Sequence, residues 1–187
     1  ISVLLISILF ILLAANINIE DMKRFVDHLE KSKTVYVIGS RLSYTFAYYL
    51  GWSLTKSRKG IHIIKGIDST TFDRLVNASS DSLVILIPTT RYPNELIKLS
   101  KMIRRRSHTL LTMTDSSLAP MIPFADLSLV VPSLSIPFIS NASGMLAVIQ
   151  YMVQELACRK GEDLADYQQQ LEQVYLENDI LFNLDPK

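Results

Sequence analysis

The stretch Leu83–Ile87, LVILI, restricts this chain more than any other. A strand with one face in water alternates apolar and polar residues. Here five apolar residues run together between Ser82 and Pro88. Both faces must therefore be covered, as in the middle of a parallel sheet flanked by helices. Four more short apolar runs end at turn residues: Thr34 to Gly39, Ile61 to Lys65, Thr109 to Met113 and Leu127 to Val131.

Helical patterns separate them. Asn18, with Asp21 three positions on, reads as the N-cap of a helix reaching about Ser32, with Met22, Phe25, Val26 and Leu29 on one stripe. Tyr44 to Lys56 is helical and apolar nearly all round, which predicts burial against the sheet and against a neighbouring subunit. Asp68 to Thr71 caps a short helix running to about Ala78, and Asn94 to Arg106 forms the next. Pro120 to Phe124 fits a helical turn. Five β units joined by helices give an α/β fold with a five-stranded, parallel, doubly wound sheet. A chain of 187 residues suffices for one such domain with a real core.

Ligands on such sheets lie at the carboxyl ends of the strands. Those ends carry Gly39–Ser43, Pro88–Pro93 and Thr114–Ser117, all rich in hydroxyls. In Gly39–Ser43 a strand feeds a Gly/Ser turn at a helix start. The free N–H groups of the first helical turn and the positive end of the dipole then point at one place, an anion site. Ser40, Ser43 and the Arg41 guanidinium add donors. Taken alone, these residues fit a turn glycine with capping serines equally well.

Charge is balanced, 19 basic against 18 acidic residues, so the chain has no electrostatic footprint for nucleic acid. Arg104–Arg106 and the Lys56, Arg58, Lys59 group close helices, where cations complement the dipole. The single cysteine, Cys158, forms no intrachain disulfide and fits a reducing, cytoplasmic setting. Three histidines and one cysteine, scattered, make no metal site, and nothing calls for a cofactor.

The ends differ from the middle. Ile1–Ala15, ISVLLISILFILLAA, is uncharged but shorter than a membrane span and lacks a preceding basic region. It reads as a helix buried against the domain or a partner subunit rather than as a membrane anchor. Asn141 to Arg159 forms a helix apolar on most faces, with Gly161 at its end. A last helix, Asp163 to Glu177, carries Leu164, Tyr167, Leu171 and Val174 on one stripe. Two such helices on so small a domain predict a homodimer. The organisation expected is a connecting segment over 1–18, the α/β domain over 19–161 and a C-terminal helix and tail over 162–187.

The segments VYVIGSRLS with AYYLGW after it, LVILIPTTRYPNE, LLTMTDSSLAP and ADLSLVVPS, in that order, resemble the sugar isomerase (SIS) phosphosugar-binding domain. Within it they are most similar to the effector domain of RpiR-type transcription regulators. The resemblance covers about Phe25 to Gly161. It implies a three-layer α/β sandwich that dimerises and binds a phosphosugar at the strand ends, preceded by a helix-turn-helix domain that contacts DNA. Ser43 and Glu95 carry over from the family's loops, although an acid at Glu95 suits a first helical turn equally well. With the strand-end hydroxyls Ser40, Thr89, Thr90, Thr114 and Ser116 and the charge partners Arg41 and Arg91, they make up the expected ligand residues. One loop departs from the pattern: where the family carries Ser-x-Ser-Gly-x-Thr around a phosphate, this chain has Pro88-Thr89-Thr90-Arg91-Tyr92-Pro93. Pro88 and Pro93 replace two of the family's hydroxyls, and Pro93 also lacks an N–H. Either Arg91 offers bidentate phosphate contacts instead, or the ligand is an acid or a nucleotide.

The alternative is an aldose–ketose phosphosugar isomerase, which needs a placed base. Glu95, His62 and His108 are the candidates. His62 falls inside a strand, His108 before strand four at the far end of the sheet, and His28 on the polar face of the first helix. The residues therefore favour binding of a small anionic effector, a sugar phosphate, without turnover.

Overall fold

In a computed structural model of the chain, the described residues are 17–133 and 142–180, together with Ile11, Ala14 and Ala15. Most of Ile1–Ala15, the proposed helix start at Asn141 and the tail beyond Ile180 lie outside them. Ile11, Ala14 and Ala15 are helical and exposed. The order is α1 (Ile19–Lys31), β1 (Val35–Gly39), α2 (Ser43–Thr55), β2 (Ile61–Lys65), α3 (Ser69–Val76), β3 (Leu83–Ile87), α4 (Asn94–Arg105), β4 (Thr109–Thr114), a 3-10 turn (Ile122–Phe124), β5 (Leu127–Val130), α5 (Ser143–Lys160) and α6 (Glu162–Glu177).

All five strands pair in parallel, in the order β2-β1-β3-β4-β5. β3 is central and each of its residues is buried, as its unbroken apolar run requires. Alternate residues serve opposite layers. Val35, Val37, Ile85, Ile87, Leu111 and Met113 share a core with α1, α2 and α5. Ile38, Ile64, Val84, Leu86 and Leu110 share another with Leu75 of α3 and with Leu96, Leu99 and Ile103 of α4. The result is a three-layer α/β/α sandwich.

Local signals set most element starts. Asn18 Oδ1 accepts the N–H groups of Glu20 and Asp21 at 2.9 and 3.3 Å. Asp68 accepts the Thr71 N–H at 2.8 Å in a capping box. α2 begins at Ser43, one residue before the expected Tyr44, because Leu42 already has helical torsions and no side chain caps it. β4 extends one residue past Met113, to Thr114.

α1 is clamped from two sides. Arg58 donates to the carbonyls of Leu29, Ser32 and Lys33 at the end of α1, a different role from closing its own helix. Burial pushes its guanidinium below the ordinary value. Arg159 of α5 bonds Asp27 at 2.5 Å and Glu155 at 3.0 Å, and lies 3.6 Å from Glu30. The hydrogen bond from Arg159 is the largest influence holding the Asp27 carboxyl below its usual value.

α6 is held by polar groups more than by its stripe. The Tyr167 hydroxyl donates to the Thr55 carbonyl at 3.1 Å, and the Lys56 ammonium sits 5.2 Å from the Trp52 ring and 4.9 Å from that of Tyr175. Leu164, Tyr167 and Leu171 are half-buried, whereas Val174 is exposed. No helix among the described residues is long and apolar enough to cross a membrane.

Candidate functional site

The strand order puts a topological switch between β1 and β3: the chain passes from β1 out to β2, then returns to the other side. Crevices open at such points, above the carboxyl ends of the strands. The loops Ser40–Leu42 and Pro88–Pro93 stand there, with the end of β4 beside them.

The first loop is tight because α2 starts against the strand end. A Cβ on Gly39 would lie 2.6 Å from the Ser43 carbonyl oxygen and 2.8 Å from Tyr44 Cα and from Ala47 Cβ. The Ser43 hydroxyl donates to the Ser40 carbonyl at 2.8 Å and accepts the Ser40 N–H at 3.2 Å. It is buried and closes the turn from inside. Ser40 spans the switch, its hydroxyl donating to Glu95 Oε1 on α4 at 2.7 Å. Arg41 and Arg91, one in each loop, are exposed and have φ of 55° and 69°. Side-chain-bearing residues seldom occupy this left-handed region, at a cost of about 1–3 kcal/mol each, and such outliers collect where loops bind ligands.

The second loop is organised by Asp115, a residue the sequence reading passed over. Its Oδ2 accepts the Thr90 N–H at 2.8 Å and the Thr90 hydroxyl, and its Oδ1 accepts the Tyr92 hydroxyl at 2.9 Å. Burial first, then the bond to Asp115, pushes the Tyr92 phenol up, while the Thr114 and Thr90 hydroxyls act in the other direction. Thr89 and Asp115 line a shallow, narrow cleft whose other walls include Phe46, Val131 and Met145.

The expected ligand residues thus divide. Ser40, Arg41, Thr89, Thr90, Arg91 and Glu95 gather at the crest. Ser43 is turned into its loop, and Ser116 accepts the Leu118 N–H at 3.1 Å in a turn of its own. Thr114 is wholly buried. The signal for Asp115 was its place directly after a strand end, between two hydroxyl residues. Phe46 and Met145 read only as apolar helix positions.

The histidines lie elsewhere. His108 is buried with Nε2 3.2 Å from the Leu75 carbonyl oxygen, before β4 and so at the opposite end of the sheet. His62, near the start of the edge strand β2, is exposed and stacks on Tyr36 at 5.1 Å. His28 lies on α1. Among the described residues no cluster of His, Cys, Asp or Glu is placed to hold a metal ion.

Strand order and crest together define the class: a doubly wound α/β domain of the kind that takes small ligands above its strand ends. Residues 28–157 match the SIS domain family, and the chain belongs to that family. No curated protein sequence matches it. Several solved structures share its fold. The sugar isomerase domain of an RpiR transcription factor from Sphaerobacter thermophilus is 22% identical, with a TM-score of 0.83 over 92% of this chain and 98% of that one. The Vibrio vulnificus NanR protein, complexed with ManNAc-6P, is 18% identical, with a TM-score of 0.74 over 91% of this chain and 64% of that one. A Methanococcus jannaschii protein, MJ1247, whose structure was taken to infer a 3-hexulose-6-phosphate isomerase function, is 14% identical, with a TM-score of 0.59 over 89% of this chain and 86% of that one.

Proposed function

We propose that this chain is the effector-sensing domain of a bacterial RpiR-type transcription regulator, binding a sugar phosphate above its sheet without transforming it. In this reading the DNA-contacting domain is a separate, upstream part. The observation that carries it is the state of the crest: no histidine stands there among the described residues, and both crest carboxylates are engaged, Glu95 by Ser40 and Asp115 by Thr90 and Tyr92. Aldose–ketose isomerisation requires a base within reach of a carbon-bound proton. Binding requires only donors and shape. The likeness to the RpiR domain and to the sugar-phosphate-bound NanR protein supports the same reading.

Calorimetric titration with a panel of hexose and hexosamine phosphates is expected to give saturable heat with at least one, and no net conversion of it. Heat from none would remove the sugar-phosphate reading. Turnover of an aldose phosphate, lost in Glu95→Gln, would establish the isomerase in its place.

The regulator reading includes a homodimer, in which effector binding changes the spacing of two attached DNA-binding domains. It draws support from α2, whose Tyr48 and Trp52 are 51% and 47% exposed, with Leu146 of α5 also exposed. An apolar face of this kind is normally covered. Sedimentation is expected to give twice the chain mass, and Trp52→Glu to shift the population to the monomer. A wild-type monomer at micromolar concentration would refute the dimer.

A further inference from the structure

Resting on the sugar-phosphate reading, we propose that Asp115 is a built-in anion that occupies the donors of the β3–α4 loop, so that the part of an effector reaching this loop is uncharged. Three donors from one loop converge on one carboxylate. The Thr90 N–H and hydroxyl take Oδ2, and the Tyr92 hydroxyl takes Oδ1. A loop N–H, flanking hydroxyls and a helix start just behind them are what an incoming phosphoryl group would otherwise use. Here α4 starts at Asn94 behind Pro93, which supplies no side-chain cap, and the protein's own carboxylate meets the loop donors.

Asp115 also forms part of the cleft wall with Thr89, Phe46 and Met145. An anion entering that cleft meets a like charge beside apolar side chains, which screen it less than bulk water does. A sugar hydroxyl, by contrast, can donate to the carboxylate at the mouth of the cleft. Arg91, the cation of the β3–α4 loop, already has an interaction of its own, so the phosphoryl group falls to the β1–α2 side, where Arg41 stands exposed. The effector class is therefore a sugar monophosphate with a neutral far end, and bisphosphates and sugar acids are rejected.

The test uses the full chain, titrated with a hexose 6-phosphate and with a hexose 1,6-bisphosphate. The wild-type chain is expected to bind the monophosphate at least about tenfold more tightly, and Asp115→Asn to recover about that factor for the bisphosphate, 1.4 kcal/mol in binding. The Thr90 amide resonance is expected to move on adding inorganic phosphate to Asp115→Asn but not to wild type. Equal or tighter bisphosphate binding by wild type overturns the proposal without any variant, so a poorly folding Asp115→Asn leaves it testable. Monophosphate binding by wild type with no gain in a folded Asp115→Asn overturns it while the sugar-phosphate reading stands. If neither protein binds a sugar phosphate, both fall.

Discussion

Gly39→Ala is expected to destabilise the domain by about 3 kcal/mol, at the upper end for overpacking a close-packed site, and to remove effector binding. The added methyl would meet the Ser43 carbonyl oxygen at 2.6 Å, Tyr44 Cα at 2.8 Å and Ala47 Cβ at 2.8 Å. The first two belong to the backbone, and the third is a side chain without a rotamer to change. The clash is relieved only by moving the start of α2 away from β1. That movement opens the Ser40–Ser43 turn and pulls the Ser40 hydroxyl from Glu95. Urea denaturation measures the first effect and calorimetric titration the second. A change within about 0.5 kcal/mol, the usual size of a surface effect, would show that α2 yields more easily than its packing implies.

Phe25→Ala is expected to cost about 3–5 kcal/mol, the range for truncating a buried aromatic ring. Phe25 is fully buried in α1, within the core shared by α2, α5 and one sheet face. With Met22, Val26 and Leu29 it makes up the apolar attachment of α1, the remainder being the Arg58 and Arg159 contacts. Polar contacts at a half-exposed edge hold a helix weakly compared with a filled core. Hydrogen exchange is therefore expected to show α1 amides losing protection before those of β3. In the regulator reading, α1 is the element that would transmit a change at the crest toward an upstream domain, and its loosening would uncouple the two. Uniform loss of protection across α1 and the sheet would instead mean that α1 is part of one cooperative unit.

The amino-acid sequence by itself determined the secondary elements, their order and the class of fold. Those rest on information local to each segment: the unbroken run at Leu83–Ile87, the stripe Met22–Phe25–Val26–Leu29, and the caps at Asn18 and Asp68. Each works through neighbours within a few residues, so each can be read without knowing the rest. The position of the crest was legible for the same reason, since it follows from where each strand ends, and the family resemblance fell on the same contiguous loops.

Only the tertiary structure decided which crest groups face outward. Ser40, Ser43, Thr90, Thr114 and Ser116 are alike as letters, all hydroxyls at strand ends. Ser43 and Ser116 spend theirs on turns, Thr114 is buried, and Ser40 and Thr90 are tied to carboxylates. Those last bonds join residues 55 and 25 positions apart. A hydrogen bond between distant segments depends on the relative placement of whole strands and helices, which no local pattern encodes. The role of Asp115 is the result: a charge whose partners exist only once β3, α4 and β4 have come together.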